Sequence, residues 1–335
     1  MRGGTPSLDQ IADGCWAWTQ PDGSWGYSNA GLVTDGGASL LVDTLYDLRL
    51  TRAMAERMRR DVPGFVGPGA IVNTHANGDH CYGNGAFPGV PIVASEAAAR
   101  EMPAFPPAAM ARAVRALRVA GRLPWPLSEL RIDGVRLRDV AEFFVDAFGA
   151  FEFDGVELVL PDTTFRGELS WRVGDRAVEL IEVGPAHTAG DVVAWVPDAR
   201  VVYTGDILFS SGHPIVWEGP LRGWVGACDR ILALDPAVVV PGHGPLATVA
   251  EVRRLRDHLT WLWDAVRARY EAGLGPADAA ADLALDAWAD WGEAERVVVN
   301  VDAIYRELRG DHVKTSARRL MAMMAEARRR ARGRR

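Results

Sequence analysis

The order of apolar and polar positions predicts a strand-rich beginning to the chain. Two apolar runs, residues 30–33 and 39–43, flank Asp35-Gly36-Gly37, which is a strong signal for a β-hairpin. Apolar residues at helical spacing then predict a helix over residues 48–61. A short apolar run at residues 70–72 is typical of a buried strand. The first 72 residues are therefore predicted to form paired strands and one helix.

The middle of the chain alternates between helical and strand patterns. Apolar spacing predicts a helix over residues 108–119, and strand patterns return over residues 168–206 and 237–240. The segment 121–162 has little periodicity but is rich in aromatic rings, which either pack in the core or line a substrate pocket. These rings belong to Trp125, Phe143, Phe144, Phe148 and Phe151.

The pattern changes again at Glu251, where helical spacing becomes dominant. One long amphipathic helix is indicated by Leu255, Leu259, Leu262 and Val266. Shorter helical segments are predicted over residues 277–285, 301–308 and 316–330. We therefore predict two parts, a catalytic domain over residues 1–250 and a helical C-terminal extension over residues 251–335.

Composition narrows the class of protein. The chain has 335 residues, 48% of them hydrophobic, so a large core is available, and the net charge of -7 argues against nucleic-acid binding. Three widely spaced cysteines favour a reducing compartment. No signal segment or long apolar run is present, so we expect a soluble cytoplasmic protein without a membrane partner. The arginine-rich end, residues 328–335, is interpreted as a solvated tail rather than a binding arm.

The densest chemistry lies in the loop after residue 72. His75, Asp79 and His80 fall within six residues, and imidazole and carboxylate groups are ligands that zinc accepts. The alternative is a polar loop whose histidines only make hydrogen bonds. It is disfavoured because His187 and His243, also among only seven histidines, lie in similar glycine-containing loops after apolar runs.

These residues carry a family resemblance. The segment from His75 to His80, followed at a distance by His187, Asp206 and His243, resembles the metallo-β-lactamase superfamily, whose signature is His-x-His-x-Asp-His and then His, Asp and His. The resemblance extends over roughly residues 14–250. It implies an αβ/βα sandwich, in which two mixed sheets pack face to face with helices outside and metals at one edge. The alternation of strands and helices agrees with such a layered α/β fold.

The resemblance also implies a set of metal ligands. Two sites would share Asp206, the first formed with His75 and His187 and the second with Asp79, His80 and His243. Asn77 departs from the family pattern, because it stands where the second histidine of the signature is expected. An amide oxygen is a poorer zinc ligand than imidazole. Asn77 is therefore a weak ligand, or it hydrogen-bonds to a metal-bound water or to the substrate.

The implied chemistry is hydrolysis. One or two zinc ions would generate hydroxide at neutral pH and polarise a carbonyl, although iron or manganese would also serve. Asp79 is the candidate catalytic residue, orienting the nucleophile or carrying a proton to the leaving group. We expect the substrate to be a small or carrier-bound acyl compound, cleaved at an ester, thioester, lactone or amide bond.

Other side chains have two interpretations each. His213 contacts the substrate or is an ordinary loop histidine, and Cys81 is a buried thiol or a ligand. Tyr82 donates to an oxyanion or packs under the loop. Asp43 ends a strand near the site, as in similar proteins, and either supports the ligands from behind or is structural. Two further histidines are expected to be structural: His258 and His312.

Two alternatives to this hydrolase remain open. Some proteins with the fold that this resemblance implies act as cyclases or thioesterases of aromatic polyketide assembly. The aromatic segment would suit a planar substrate. A non-catalytic member that only binds a ligand would explain Asn77. A secreted lactamase and a nuclease are disfavoured, since neither a signal segment nor a basic surface is indicated. The oligomeric state is left open by the sequence.

Overall fold

Two mixed β-sheets form the centre of the computed structural model, which describes residues 5–20, 23–311 and 313–333. The first sheet has seven strands in chain order. Their bounds are β1 (Ser7–Ala12), β2 (Cys15–Thr19), β3 (Ala30–Asp35), β4 (Ala38–Val42), β5 (Ala70–Val72), β6 (Ile92–Ser95) and β7 (Thr163–Phe165). Strands β1 to β4 are antiparallel, and β4 to β7 are parallel.

The second sheet has five strands, also in chain order. Their bounds are β8 (Glu168–Val173), β9 (Arg176–Glu182), β10 (Val192–Val196), β11 (Val201–Tyr203) and β12 (Val238–Val240). Strands β8 to β11 are antiparallel, whereas β12 runs parallel to β11. A two-stranded hairpin at residues 131–136 lies apart from both sheets.

Ten α-helices surround the sheets in the described part of the chain. Six precede residue 240: α1 (Leu48–Asp61), α2 (Gly78–Cys81), α3 (Glu96–Glu101), α4 (Pro107–Ala120), α5 (Leu137–Phe148) and α6 (Leu221–Ala233). Four follow it: α7 (Val249–Glu271), α8 (Pro276–Asp282), α9 (Val297–Arg309) and α10 (Ala317–Gly333). No helix in the described ranges is long and apolar enough to span a bilayer.

The buried residues show how the two sheets pack. One apolar cluster draws on both sheets, and its members include Leu40, Val72, Val178 and Val196. A second cluster lies between the first sheet and α1, and it includes Leu41, Ile71, Met54 and Met58. A third and larger cluster covers the other face of the second sheet. The predicted αβ/βα sandwich of two mixed sheets is therefore confirmed.

The predicted hairpin and most predicted helices are confirmed within a few residues. The hairpin turn needs glycine, because Gly36 and Gly37 both have positive φ angles, 55° and 86°. Segment 121–162 differs from the expectation of little regular structure, since it contains α5. That helix buries Phe143, Phe144 and Phe148.

The core interpretation of the aromatic rings is thus confirmed for most of them. Phe151 is also buried, at 5% exposure, whereas Trp125 is 80% exposed and packs in no core. Burial of four rings leaves little of this set to line a pocket.

The C-terminal extension is helical, as predicted. Helix α7 begins with a capping box, in which Thr248 and Glu251 satisfy each other's backbone amides. Its buried face carries the predicted leucines, and these residues belong to the same apolar cluster as α5 and α6. The extension therefore shares a core with the preceding residues, and the domain boundary at residue 250 stays a prediction.

We expect Leu259→Ala to destabilise the whole fold because Leu259 is fully buried in this shared core. The loss of a buried leucine should lower the free energy of unfolding by about 2–5 kcal/mol. Urea denaturation of both proteins measures the difference. Leu246→Ala is the control, because Leu246 is 37% exposed and its truncation should cost about 0.5 kcal/mol or less. An equal, small effect at both positions would contradict a shared core.

Candidate metal centre

The histidine-rich loop follows β5 and is held by buried amides. The carbonyl of His80 accepts hydrogen bonds from Thr44 N and from Asn73 Nδ2, both at 2.9 Å. Asn73 is itself paired with Asn84, whose Nδ2 donates to Asn73 Oδ1 at 2.8 Å. The single turn of α2 lies between these contacts and places Asp79 next to His80. These hydrogen bonds fix the backbone of the loop around His80.

The other candidate ligands follow strands of the second sheet. His187 follows β9, Asp206 lies in a 3₁₀ turn directly after β11, and His243 lies just after β12. Because all of these positions follow the ends of strands, the side chains of both sheets meet at one edge of the sandwich. Of the six candidate ligands, Asp79 is 9% exposed and the other five are less than 5% exposed.

The six predicted ligands meet as two groups, within each of which the ligand atoms lie within 4.8 Å of one another. Asp206 Oδ2 lies 3.8 Å from His75 Nε2 and 3.3 Å from His187 Nε2. Asp206 Oδ1 turns instead toward the other group, 3.1 Å from His80 Nε2. Within that group, His243 Nε2 lies 3.3 Å from Asp79 Oδ2. This is the placement predicted from the sequence, with Asp206 between the groups.

The chemistry of these atoms fits a divalent metal. His75 Nε2 is buried without a hydrogen-bond partner among the described residues, and His80 Nε2 and Asp206 Oδ1, although 3.1 Å apart, are not aligned for a hydrogen bond. Buried polar atoms are rarely left without a partner, so their convergence calls for a ligand. Imidazole nitrogens and carboxylate oxygens suit zinc and other transition metals. The groups could hold one or two ions, and the role of each residue as a ligand stays a prediction.

Asp43 contacts His80 directly and His75 through Thr74. Its Oδ2 lies 2.9 Å from His80 Nδ1 and accepts a hydrogen bond of 2.7 Å from Thr74 Oγ1. Thr74 Oγ1 in turn lies 2.9 Å from His75 Nδ1. Contacts of this kind fix the orientation of each ring, so that Nε2 faces the metal position.

The remaining two histidines are held differently. His187 Nδ1 lies 2.7 Å from the carbonyl of Ile215. His243 Nδ1 has no hydrogen-bond partner among the described residues. Its ring stacks on Phe209 instead, with ring centres 5.3 Å apart and planes inclined by 6°.

Burial and neighbouring charges divide the histidines into two kinds. Burial lowers the pKa of His75 well below its usual range and that of His187 to about 4. Burial also acts on His80, but Asp206 and Asp43 outweigh it and raise the pKa of His80 well above its usual range. Burial likewise opposes ionisation of Asp206, but His243 and His80 prevail and hold its pKa well below the usual range. A metal cation would therefore displace a proton from this cluster.

Asn77 faces the first group rather than solvent alone. Its Nδ2 lies 3.0 Å from His187 Nε2, the atom that would bind the first metal. Because His187 Nδ1 faces the carbonyl of Ile215, it carries the proton, and Nε2 accepts from the amide. The amide of Asn77 therefore competes with a metal ion for His187 Nε2.

His213 packs against side chains of the C-terminal extension. Its ring is 1% exposed and lies 5.4 Å from the ring of His258 and 5.5 Å from that of Trp291. Contact with substrate stays a prediction for His213. His258 is fully buried against Trp288, which agrees with the expected structural role. His312 lies outside the described residues.

Two ambiguous residues of the loop have packing roles. The Cys81 thiol is fully buried, its Sγ lies 3.7 Å from the carbonyl of Ala76, and burial raises its pKa. The Tyr82 hydroxyl donates to the carbonyl of Phe105 at 2.6 Å. The interpretations of Cys81 as a buried thiol and of Tyr82 as a packing residue therefore agree with the structure.

The buried pair His213 and His258 predicts loss of stability in acid. Burial lowers the pKa of His213 to about 4 and that of His258 to about 3, so both are neutral when folded. As the pH falls below about 6.5, the unfolded chain takes up protons first, and the stabilising contribution of the neutral rings is lost. By pH 4.5 each ring should cost roughly 2–3 kcal/mol.

His258→Phe should therefore flatten the pH dependence of stability. Phenylalanine fills the same aromatic site and cannot be protonated. The measurement is the urea midpoint of metal-free protein at pH 7 and pH 4.5, with unmodified protein as reference so that other titrating groups cancel. An unchanged difference between the two pH values would contradict the prediction.

The sequence analysis missed two residues next to the ligands. Thr74 could have been found, since a hydroxyl directly before a ligand is well placed to contact it. Phe209 could not, because nothing in its local pattern indicates the stack on His243.

Two curated proteins, among others, resemble parts of the chain. It is 31% identical over 131 residues to 2,4-dinitroanisole O-demethylase subunit alpha from Nocardioides sp., a match covering 38% of this chain and 34% of that protein. It is 36% identical over 73 residues to hydroxyacylglutathione hydrolase from Brucella ovis, covering 22% and 28% respectively. The matched stretches therefore span about a third of the length of these curated relatives.

Solved structures share the fold more widely. A metallo-beta-lactamase from Pontibacter korlensis covers 76% of this chain and 99% of its own, with a TM-score of 0.52 and 18% identity. The stereoselective inverting sec-alkylsulfatase Pisa1 from Pseudomonas sp. covers 90% and 50%, with a TM-score of 0.64 and 16% identity. At these identities the likeness concerns the fold alone.

The family follows from the sequence itself. A model described as the metallo-beta-lactamase superfamily matches residues 23–243, well over half of the chain. This range contains all six residues of the two groups. The chain belongs to the metallo-β-lactamase superfamily.

Proposed function

We propose that the chain is a metal-dependent hydrolase that cleaves an ester, thioester, lactone or amide of a small or carrier-bound acyl substrate. The observation that carries this proposal is the pair of ligand groups joined through Asp206 at one edge of the sandwich. The similarity to hydroxyacylglutathione hydrolase supports the acyl thioester within this range. Zinc is the proposed metal, and iron and manganese are the alternatives.

The residues of the site would bind the metal, and one of them would also transfer a proton. The first group would hold one ion and the group of Asp79, His80 and His243 the other, each through the atoms that face inward. A bound ion supplies a Lewis acid that polarises the scissile carbonyl and makes water more acidic. Asp43 and Thr74 keep His75 and His80 in orientation throughout.

Asp79 is proposed to carry a proton in addition to holding metal. Its side chain is 13% exposed, whereas those of His80 and Asp206 are 0% and 3% exposed. Burial opposes ionisation of Asp79, but the hydrogen bond and charge of His243 prevail and lower its pKa. The ionised carboxylate can accept a proton from attacking water and return it to the leaving group.

No specific observation favours the other functions. A polyketide cyclase would use the aromatic segment, but Phe143, Phe144, Phe148 and Phe151 are buried in the core. The free, buried cysteines fit a reducing compartment, and a cytoplasmic location is proposed on that ground. Nucleic acid and membrane are not among the proposed partners.

Metal reconstitution with a substrate panel tests the proposal. Purified protein is loaded with zinc, iron or manganese and assayed on thioesters, esters, lactones, amides and β-lactams. We expect turnover of at least one acyl class with one metal and none after chelation. Turnover that survives complete metal removal would overturn the proposal that the protein is a metalloenzyme. Tight metal binding without turnover of any acyl class would favour the non-catalytic alternative.

A further inference from the structure

On its Nδ1 side, the His243 ring is held by packing rather than by a hydrogen bond. Among the four histidines of the two groups, His75, His80 and His187 each have Nδ1 within hydrogen-bond distance of an oxygen. His243 Nδ1 has no such partner in the described part of the chain. The near-parallel stack on Phe209, with planes inclined by 6°, therefore supports the face of the ring, beside the contact of Nε2 with Asp79 Oδ2 at 3.3 Å.

Phe209 is in turn held by an arginine of the C-terminal extension. The guanidinium carbon of Arg296 lies 5.1 Å from the centre of the Phe209 ring and 4.3 Å from that of Trp25. Arg296 is only 2% exposed, so the guanidinium is desolvated, which strengthens cation–π attraction. Its Nε has no partner among the described residues. Such a buried cation depends on the rings beside it.

Backbone contacts fasten the same two segments to each other. Gly292 N donates to the carbonyl of Ser211, and His213 N donates to the carbonyl of Gly292, both at 3.0 Å. Arg296 Nη1 donates to the carbonyl of His213 at 3.1 Å. The extension therefore holds the loop that carries Phe209, at backbone atoms two to four residues after Phe209.

We propose that Phe209 and Arg296 are positioning residues for His243, so that the C-terminal extension sets the metal affinity of the group Asp79, His80 and His243. A ligand that is held in orientation before binding loses less freedom when the metal arrives. The inference rests on the metal binding proposed above, but it does not depend on which substrate is cleaved.

Metal titration of matched variants tests this inference. Phe209→Leu removes the stack, and Arg296→Met removes the guanidinium while keeping an unbranched side chain. Each should weaken the tightest zinc-binding step about 10-fold, the lower end of the effect of losing a group that orients a ligand. Competition with a chromophoric chelator measures the affinity, and the cobalt spectrum reports the ligand geometry.

The controls remove similar groups elsewhere. Phe144→Leu removes a buried ring that contacts Phe148 and no ligand. Arg309→Met removes a guanidinium that lies 5.4 Å from the Tyr305 ring, also in the extension. Both should keep the unmodified zinc affinity and cobalt spectrum. If Phe209→Leu does not fold, the Arg296 variants still decide.

A charge effect predicts the opposite result for Arg296. A nearby cation repels metal, so if charge alone mattered, Arg296→Met would tighten zinc binding and Arg296→Lys would leave it unchanged. Positioning predicts weaker binding in both, since lysine lacks the planar guanidinium. Unchanged or tighter binding in Arg296→Met would overturn the inference but leave the proposed hydrolase intact. An unmodified protein that bound no metal would overturn both.

Discussion

His80→Ala and His243→Ala should each remove metal from the group they share with Asp79 and reduce turnover to the level of metal-free protein. Each substitution deletes one of three strong ligands. Loss of a contact that merely orients a ligand costs about 10–100-fold in affinity, so loss of the ligand itself should cost more than about 100-fold. Elemental analysis after dialysis, together with hydrolysis of the best acyl substrate, measures both effects.

The control for these variants is His258→Phe. His258 is as buried as His80 but contacts tryptophan rings rather than the ligand groups. It should therefore keep its metal and its activity at neutral pH. Full activity in metal-depleted His243→Ala would contradict the metalloenzyme.

The grouping of the candidate ligands was predictable because each of them lies in a short local pattern, an apolar run followed by a turn. Imidazole and carboxylate groups followed short apolar runs, and strand ends of packed sheets meet at one edge. The order of His75 to His80, His187, Asp206 and His243 then sufficed to identify the family. The structure places all six side chains in the two groups that the resemblance implied.

The rest of the site depended on contacts between distant segments. Arg296 is 87 residues beyond Phe209 in the numbering, and nothing in the local sequence around either residue indicates their contact. Helix α5 was likewise hidden, because the irregular stretch before it masks the periodicity of its buried phenylalanines. Long-range packing of this kind leaves no local pattern in a single sequence.

The extension also changes how the fold should be divided. Its helices carry apolar faces and no ligand pattern, and no residue after 250 in the described ranges belongs to a ligand group. Yet Arg296 reaches Phe209, which stacks on His243. The extension therefore contacts the site through packing and contributes no ligand.

Unmodified protein should hold the second metal tightly and the first weakly or not at all. Only His75 and His187 are strong ligands private to the first group, since Asp206 is shared. The Asn77 amide also donates to His187 Nε2, and a metal must break that hydrogen bond, which is worth about 1 kcal/mol. The first site should therefore be at least about 10 to 100-fold weaker than a site with all its ligands.

Asn77→His should raise the metal content towards two per chain. The imidazole replaces a poor ligand and removes the amide that occupies His187 Nε2. Asn77→Gln is the matched control, because it keeps an amide and should not recover the ion of the first site. Elemental analysis after mild chelation decides the outcome. Two tightly held metals in the unmodified protein would show that Asn77 does not weaken the first site.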